Sequence, residues 1–537
     1  MQEGLSYLFN TSLGNLLVIS FLHLSAWIYC LTLKSWVSDD IEGIAKFSDR
    51  FLQTRDKNGI FLKEETIKSY QQETGEKDKD GKPVTVEIRN TQFNKYLGFP
   101  ASIMRWIRLN YGKKFVKLGV NKDNHPIYGY SQSVVKHHLL NILSQWIVLV
   151  LLYNFLTPLI GTKLSFLSTL IFCLHPCLVQ CVGWISGINY VFSLIGTLTT
   201  LNVVQNFDNP IIVYPAIVLS TTFSAMTLLP GCFTFVILLF LGFWKEAAVV
   251  GMIGLYILLK IGKWTVNYRI KAFKDQNMQK STFITFRKPI VMIKTFWYYI
   301  KLIVWPKRLG LFHTWGYHFD EPIEKVDREF WFGLISIGIV CSLFLFFQFP
   351  LKFAVLWYFT YLVIFSNFIT AQQFVSERYV YTSLVGFSII LAYFIQDYPV
   401  LIAFILGIYI MRIWIHLPTY KNEVRFYESN CFNFPDSEVA MGNLGVSYLN
   451  HGYHHKAYDQ WLEATRQNST YDVPWYNLYS LTKQNGDIIN ARNFLSECLK
   501  AKIIHFREQW EKELKEIDAI IAQAVSDGKI KVVQQPK

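Results

Sequence analysis

Charged residues are scarce in this chain. Asp, Glu, Lys and Arg make up 17% of its 537 residues, against about 25% in an average soluble protein. Apolar residues reach 52% and the mean hydropathy is +0.23. A disordered chain would be poor in apolar residues, so that class is excluded, and a purely soluble enzyme is disfavoured. The long apolar runs predict a polytopic membrane protein instead.

The sequence also lacks the cysteine pattern of a disulfide framework and the features expected of a cleavable leader. Six of its eight cysteines lie in apolar segments, which leaves only Cys431 and Cys498 in the polar C-terminal part; they do not define a redox compartment. The first apolar run, 13–33, has neither a basic segment before it nor a small-residue cleavage site, so it predicts a retained membrane helix. Nothing resembles a nucleic-acid-binding module. The basic excess, 52 Lys and Arg against 39 Asp and Glu, therefore indicates contact with anionic lipid or phosphate.

The apolar runs predict an all-α membrane domain over residues 1–416 with about eleven spans, with an error of one or two. Two polar regions interrupt it, a long loop at 35–136 and a second region at 263–329. Within them, 102–119 predicts a helix in the membrane interface or, equally, an amphipathic helix of a soluble insert, and 292–305 is too short and too basic to span. The predicted spans are 13–33, 138–157, 163–181, 184–204, 211–229, 231–246, 247–262, 330–348, 351–370, 382–397 and 399–416.

An internal repeat marks the C-terminal region, residues 417–537. Eight positions from Met441 to Ala464 match eight positions from Trp475 to Cys498, always 34 residues apart, with Gly452 over Gly486. This is the period of tetratricopeptide repeats, in which small residues let two helices cross and glycine forms the turn. The region is therefore predicted to be a tetratricopeptide-type domain of two to three helical repeats.

Two motifs follow membrane helices directly. Asp39 and Asp40 come soon after the first helix, where they are either solvated surface acids or a general base or metal ligand facing the interface. His175 precedes Pro176 at the end of another helix and is buried in an apolar sequence. Three nearby cysteines are spaced four apart and favour packing over a metal site: Cys173, Cys177 and Cys181.

Charged pairs also occur between apolar runs. Lys245 and Glu246 follow one run, and Glu377, Arg378 and Tyr379 precede another. Ionisable residues in a membrane domain are functional candidates, and the guanidinium of Arg378 suits a phosphate. The alternative is a salt bridge that stabilises helix packing.

An aromatic and acidic loop contains His313, Trp315 and His318. Aromatic side chains with polar tips suit sugar rings or lipid head groups, and they equally form interfacial belts. The loop is a candidate contact for an acceptor or a head group.

The order of five motifs resembles membrane O-mannosyltransferases with tetratricopeptide repeats and their prokaryotic relatives, of the GT-C superfamily. The motifs are HHLLNILSQW, FCLHPCLVQCVGWISGINYVFS, FWKEAAVV, YYIKLIVWPKRLGLFH and SERYVYTSLVGFSII. The resemblance implies transfer of a mannose-like sugar from a polyprenyl-phosphate donor, such as a dolichyl-phosphate sugar, to a protein hydroxyl. It implies no required cofactor, and Asp39 and Asp40 permit a divalent metal without requiring one.

The resemblance also implies roles for individual residues. Asp39 or Asp40 would be the catalytic base. Arg378, with Lys245 or His175, would bind the donor phosphate. The orienting residues would be Glu377, Tyr379, Glu246 and His138.

Some positions depart from the family pattern. Leu178 and Gln180 stand where the family has a histidine and an acid, and Gln145 replaces a second histidine. Ile188 and Tyr190 replace an arginine and an aspartate. These changes leave open a different donor or a catalytically silent relative that acts as a membrane scaffold and recruits a partner through its repeats.

The implied location is the prokaryotic plasma membrane or the endoplasmic reticulum, with Asp39, Asp40 and the repeats on the extracytoplasmic or lumenal side. The partners would be membrane lipid, the lipid-linked donor and a protein acceptor, with no nucleic acid. The basic segment 263–291 would be cytoplasmic under the positive-inside rule, which conflicts with that side. A transporter is a third class, but it would carry acids within its helices, and the ionisable residues here cluster at helix ends.

Overall fold

The computed structural model describes residues 12–33, 69–77, 79–89, 111, 113–120, 126–227, 229–275, 289–311, 313, 325–366, 375–469, 471–501 and 507–527. From Val134 onward its regular elements are essentially helices, as the sequence predicts. The membrane part contains α1 Ser12–Trp27, α2 Val134–Ile160, α3 Thr162–Leu174, α4 Ile188–Asn206, α5 Pro210–Thr227, α6 Thr234–Phe240, α7 Trp244–Asp275, α8 Pro289–Val304, α9 Arg328–Phe346, α10 Leu351–Leu362, α11 Leu384–Ile395 and α12 Pro399–His416.

Short helical turns connect several of these helices. One of them continues α1, and others follow α3. There Pro176 ends the regular helix because proline cannot donate a backbone hydrogen bond. The turns are Ile28–Thr32, Pro176–Leu178, Val179–Gly183, Ile185–Gly187, Leu229–Phe233, Val363–Phe365, Glu377–Val380 and Leu417–Lys421.

Five of the described helical segments are long and apolar enough to cross a membrane, or six if the bent pair Thr162–Leu174 and Pro176–Gly183 is one span. The structure therefore indicates an integral membrane protein. It does not confirm eleven spans, since four further apolar helices are only 10–17 residues long. The segment 292–305, which the sequence marks as too short and too basic to span, lies almost entirely in α8, and α8 is not among the candidate spans.

Two β-hairpins precede α2, and the second corrects the last part of the helix expected over 102–119, of which residues 102–110 and 112 lie outside the described residues. β1 Ser69–Lys77 pairs antiparallel with β2 Pro83–Arg89, and β3 Lys113–Val120 pairs antiparallel with β4 Pro126–Gln132. Gly81 has a φ of 77° in the first turn, a conformation that glycine adopts without a steric penalty. The strand β2 reads VTVEIR after its proline, an alternation of period two that predicts a strand rather than a helix.

The C-terminal region is a row of helices. They are α13 Glu423–Asn433, α14 Glu438–Asn450, α15 His454–Gln467, α16 Asp472–Gln484, α17 Ile488–Lys500 and α18 Arg507–Ser526. α14 packs on α15 and α16 packs on α17. Gly452 and Gly486 have φ of 76° and 81° in the two turns, and Ala457 and Ala491 are fully buried at the crossings. Two helical hairpins thus follow the 34-residue spacing, whereas their assignment as tetratricopeptide repeats stays a prediction.

Candidate functional site

Polar side chains from distant parts of the sequence meet at one end of the helix bundle. The first contributor is His175, where α3 ends. Its Nε2 donates to the carbonyl of Ile303 at 3.0 Å, and its Nδ1 accepts from the backbone N–H of Cys177 at 3.2 Å. His175 is fully buried and both ring nitrogens are engaged by backbone. These two hydrogen bonds stabilise the helix break at Pro176. Because both ring nitrogens are occupied, His175 has no nitrogen left to bind the phosphate that the resemblance implied.

Gln180 connects the segment after this helix break to the turn Glu377–Val380 through hydrogen bonds. Its Oε1 accepts from the hydroxyl of Ser376 at 2.6 Å and from the backbone N–H of Arg378 at 2.8 Å. A neutral amide thus holds the start of the turn. Its Nε2 is buried with no hydrogen-bond partner in the described part of the chain.

The start of α2 supplies a second set of amides to the same end. The amide nitrogen of Asn141 donates to the carbonyls of Val182 and Trp184 at 3.2 and 3.1 Å. Gln145 Oε1 accepts a short hydrogen bond from the hydroxyl of Tyr381. The neighbouring His138 is buried, and its Nδ1 has no partner among the described residues. The hydrogen bonds of Asn141 and Gln145 therefore hold the start of α2 beside the turns Val179–Gly183 and Glu377–Val380.

Arg378 lies in an aromatic cage. Its guanidinium is 5.5 Å from the ring centre of Trp184 and 5.1 Å from that of Tyr379. Tyr379 in turn stacks on Phe365 at 4.5 Å. Burial opposes the charge, but the nearby hydroxyls of Tyr190 and Tyr379 outweigh it and raise the pKa of Arg378 above its usual value. The side chain is 8% exposed, and Nη1 has no partner among the residues that the structure describes.

Glu377 points away from this cage. Its Oε1 accepts from the backbone N–H of Gly310 at 2.6 Å and from His313 Nε2 at 2.9 Å. Within the described ranges, no ion pair joins it to Arg378. The role of orienting Arg378, which the resemblance assigned to Glu377, is therefore corrected: Glu377 holds the segment 309–313 instead.

Helix α13 of the C-terminal region fastens that same segment. Asn430 Oδ1 accepts from the backbone N–H of Leu311 at 2.6 Å, and Asn433 donates to the carbonyl of Leu309 at 3.0 Å. The ring of His313 lies 4.4 Å from that of Phe434. The C-terminal region is thus built directly onto the polar cluster rather than tethered at a distance.

A small half-open pocket lies at this junction. Membrane-domain residues line one side, and residues of the turn 417–421 and of α13 line the other. The lining residues are Pro176, Val179, Gln180, Leu309, Gly310, Glu377, His416, Thr419, Tyr420, Phe426, Ser429 and Asn430.

Lys245 and Glu246 lie at the other end of the bundle. They follow α6, whose Phe240 stacks on Phe349 at 6.3 Å just before α10 begins. Phe365, which stacks on Tyr379, comes after α10 ends. A helix of 12 residues is about 18 Å long, so α10 separates Lys245 from Arg378. The expectation that Lys245 assists at the phosphate and Glu246 orients that site is corrected.

Four predicted site residues lie outside the described residues: Asp39, Asp40, Trp315 and His318. The chain leading to the two aspartates is described as far as Leu33. Asn15 of α1 donates to the hydroxyl of Tyr153 late in α2, and His23 donates to the carbonyl of Ile142 early in α2. α1 therefore runs antiparallel to α2, and it ends near the polar cluster.

No group of three or more His, Cys, Asp or Glu side chains within the described ranges is arranged to hold a metal ion. Cys173, Cys177 and Cys181 are fully or almost fully buried and free. Cys173 Sγ lies 3.9 Å from His23 Nδ1, and Cys177 Sγ lies 3.6 Å from the carbonyl of Leu302.

Sequence reasoning did not predict several residues of this site. Gln145 and Gln180 were visible only as departures from a family pattern, whereas Gly310 and Asn430 gave no signal. Only the tertiary structure brings the four together. Family models, curated proteins and solved structures were compared with this chain, and none of them matches it.

Proposed function

We propose that the protein is a membrane glycosyltransferase that moves a sugar, mannose-like, from a polyprenyl phosphate to a hydroxyl group, with Ser or Thr of proteins as the acceptor. The observation that supports it most is Arg378, a permanent cation buried beside Trp184 and Tyr379 with Nη1 unpaired among the described residues. An isolated buried cation is costly unless an anion pairs with it. A lipid phosphate at the membrane boundary supplies that anion.

The proposed reaction is a direct displacement with inversion. The oxygen of the acceptor hydroxyl forms a bond to the anomeric carbon of the sugar, and the bond from that carbon to the phosphate oxygen breaks. The hydroxyl proton passes to a carboxylate, Asp39 or Asp40. The leaving lipid phosphate gains negative charge, which Arg378 stabilises in surroundings of low dielectric constant.

The position of the polar cluster supports this assignment. A lipid-borne donor requires a site at the ends of membrane helices, and Arg378 lies at such an end, between α10 and α11. Asp39 is six residues beyond Leu33, and six residues reach at most about 20 Å, so the chain permits an approach to this end. The C-terminal helices, as tetratricopeptide-type repeats, would hold the acceptor on the same extracytoplasmic or lumenal side.

A catalytically silent scaffold is the second candidate, and a specific observation favours it. Gln180 and Gln145 bind backbone or hydroxyl groups of the chain itself, at positions where the related enzymes carry a charged or titratable side chain. A scaffold needs only such self-contained packing. It would recruit its partner through the C-terminal helices.

The deciding experiment measures transfer of labelled sugar from polyprenyl-phosphate mannose and glucose to membrane proteins. The variant Asp39→Asn/Asp40→Asn should lose transfer, because no carboxylate would take the proton. Asp397→Asn, which breaks an exposed pair with Lys163, is the control and should transfer normally. Transfer that survives in the double variant would discard Asp39 and Asp40. No transfer from any donor by folded protein would favour the scaffold.

A further inference from the structure

Basic side chains collect where the candidate spans α9 and α12 reach the same end of the bundle. α8 packs across the start of α9, where the ring of Trp297 lies 5.0 Å from that of Phe332. α12 holds the turn after α8, because Arg412 donates to the carbonyl of Pro306 at 2.8 Å and also to that of Lys307. α8 and its following turn therefore connect the start of one candidate span with the last part of another.

Positive charge exceeds negative charge among the described residues of this region. Asp327 pairs with Lys294 of α8. Glu329 lies 3.3 Å from the guanidinium of Arg328. Further bases lie at the end of α8, in the turn after it and near the end of α12, and these four form the boundary patch: Lys301, Lys307, Arg308 and Arg412. The patch adds positive charge to a region whose two described acids each already face a base.

The surroundings of Lys301 show the effect of this excess. Its ammonium lies 5.6 Å from a ring centre of Trp297. Partial burial lowers the pKa of Lys301 most, Glu329 raises it, and the positive charges of Arg328 and Arg308 lower it again. Bases that lower one another's pKa repel each other, and an anion between them removes that repulsion.

Lipid has access to the boundary patch from the side. α9 and α12 are the least buried of the candidate spans, with 11% and 22% of their apolar windows buried. Exposed tryptophans lie at the same end of the bundle: Trp305, Trp331 and Trp414. Tryptophan is enriched at the level of the lipid head groups, where its apolar ring and polar N–H meet both phases. The patch therefore lies where head groups lie.

We propose that the boundary patch binds the head group of an anionic phospholipid of the bilayer. The phosphate oxygens accept from the ammonium and guanidinium groups, and the acyl chains lie along the exposed faces of α9 and α12. A zwitterionic lipid binds more weakly, because its own ammonium group adds to the positive charge.

This site is separate from the proposed donor site. Arg378 is buried in its aromatic cage, whereas Lys307 and Arg308 are exposed. The phospholipid site does not depend on sugar transfer, so it goes beyond the proposed function.

The test uses the full chain in detergent and native mass spectrometry, which counts bound lipid molecules. The probes are dioleoyl-phosphatidylglycerol and dioleoyl-phosphatidylcholine, which share their acyl chains and differ in head-group charge. Wild type should bind the anionic lipid about tenfold more tightly. Lys307→Gln/Arg308→Gln removes two exposed positive charges, so its affinity for the anionic lipid should fall about tenfold or more, with binding of the zwitterionic lipid unchanged.

Two further variants make the test specific. Lys500→Gln/Lys512→Gln removes the same number of charges from exposed positions in the C-terminal helices, and it should bind the anionic lipid as wild type does. Lys307→Arg/Arg308→Lys keeps both charges and should retain the affinity. Melting temperatures establish that each variant is folded.

The proposal is overturned if wild type binds both lipids equally, or if folded Lys307→Gln/Arg308→Gln keeps its affinity for the anionic lipid. An equal loss in Lys500→Gln/Lys512→Gln would also overturn it, since net charge would then explain the binding. A polyprenyl phosphate is the third probe. If the patch variant weakens its binding and not that of phosphatidylglycerol, the patch belongs to the donor instead. A failure of the sugar-transfer assay would reject the enzyme and leave this lipid site in place.

Discussion

At the scale of single residues, the contact between Gly310 and α13 controls the geometry of the site. A Cβ atom at Gly310 would lie 2.6 Å from Asn430 Oδ1 and 2.9 Å from a ring carbon of Phe434. Both are closer than real Cβ contacts allow. Any side chain at this position would therefore push α13 away from the segment that binds Glu377.

Gly310→Ala should lower the free energy of unfolding by about 1–3 kcal/mol, the usual cost of overpacking. Thermal unfolding in detergent measures it. Gly338→Ala is the control, because nothing lies within 4 Å of a Cβ atom there and alanine favours the helix α9. Equal stability of Gly310→Ala and wild type would contradict the close approach.

Arg378 supports a second prediction at this scale. Arg378→Lys keeps the positive charge but loses the planar group that faces Trp184 and Tyr379. We expect donor affinity to fall by about tenfold or more, since the stacking and the bidentate contact proposed between Arg378 and the donor phosphate would be lost together. Binding of a polyprenyl phosphate to the purified protein measures this. Affinity equal to that of wild type would remove Arg378 from the phosphate site.

At the scale of elements, an ion pair holds helix α8 against the candidate span α9. The ammonium of Lys294 is fully buried and pairs with Asp327, which also caps α9 by accepting from the backbone N–H of Phe330 at 3.2 Å. Partial burial raises the pKa of Asp327, but the hydrogen bonds from Lys294 and Phe330 outweigh it and hold the pKa below its usual 3.8.

Asp327→Asn should therefore lower the free energy of unfolding by about 1–3 kcal/mol at neutral pH, because the buried ammonium of Lys294 loses its carboxylate partner. The folded pKa is lowered, so the stabilisation is complete above the usual pKa of Asp and is lost as the pH falls through the folded value. Melting temperatures of variant and wild type should differ at pH 7 and converge below pH 3.8. A constant difference at every pH would show that the ion pair contributes nothing.

The two hairpins show where the element pattern was ambiguous. Segment 102–119 mixes bases, aromatics and aliphatics without a strict period. A helix in the interface and an amphipathic helix of a soluble insert were both expected there, and its last part pairs as β3 instead. The alternation in β2 is present in the sequence, but no strand was predicted there. The helical hairpins of the C-terminal region were predictable from the sequence, because glycine and alanine recur at 34-residue spacing where turns and crossings require small residues.

At the scale of the whole molecule, the polar cluster and the C-terminal helices share one end of the bundle, and Lys245 lies at the other. A single cysteine at Lys245 and one at Phe432, which is 86% exposed on α13, should therefore label from opposite sides of sealed vesicles. An impermeant maleimide measures this in a background with the exposed Cys341 changed to serine. Labelling of both positions from the same side would contradict this arrangement.

The sequence by itself determined the class of the molecule. Composition and apolar runs predict membrane helices because hydrocarbon excludes charge, and a fixed repeat period predicts helical hairpins because each one buries the same small residues. It also marked Arg378 and Glu377 as functional candidates, since ionisable residues are costly in such a domain. These conclusions depend on local patterns, which a single sequence contains in full.

Only the tertiary structure decided which polar groups meet. Gln145, Gln180, Gly310 and Asn430 are neutral residues, more than one hundred positions apart at the extremes, and nothing local distinguishes them from ordinary packing. Helix direction alone removed Lys245 from the neighbourhood of Arg378, and two hydrogen bonds turned Glu377 toward the segment 309–313 rather than toward its neighbour in sequence. Contacts over such separations depend on how the helices pack, and the local pattern does not encode that packing.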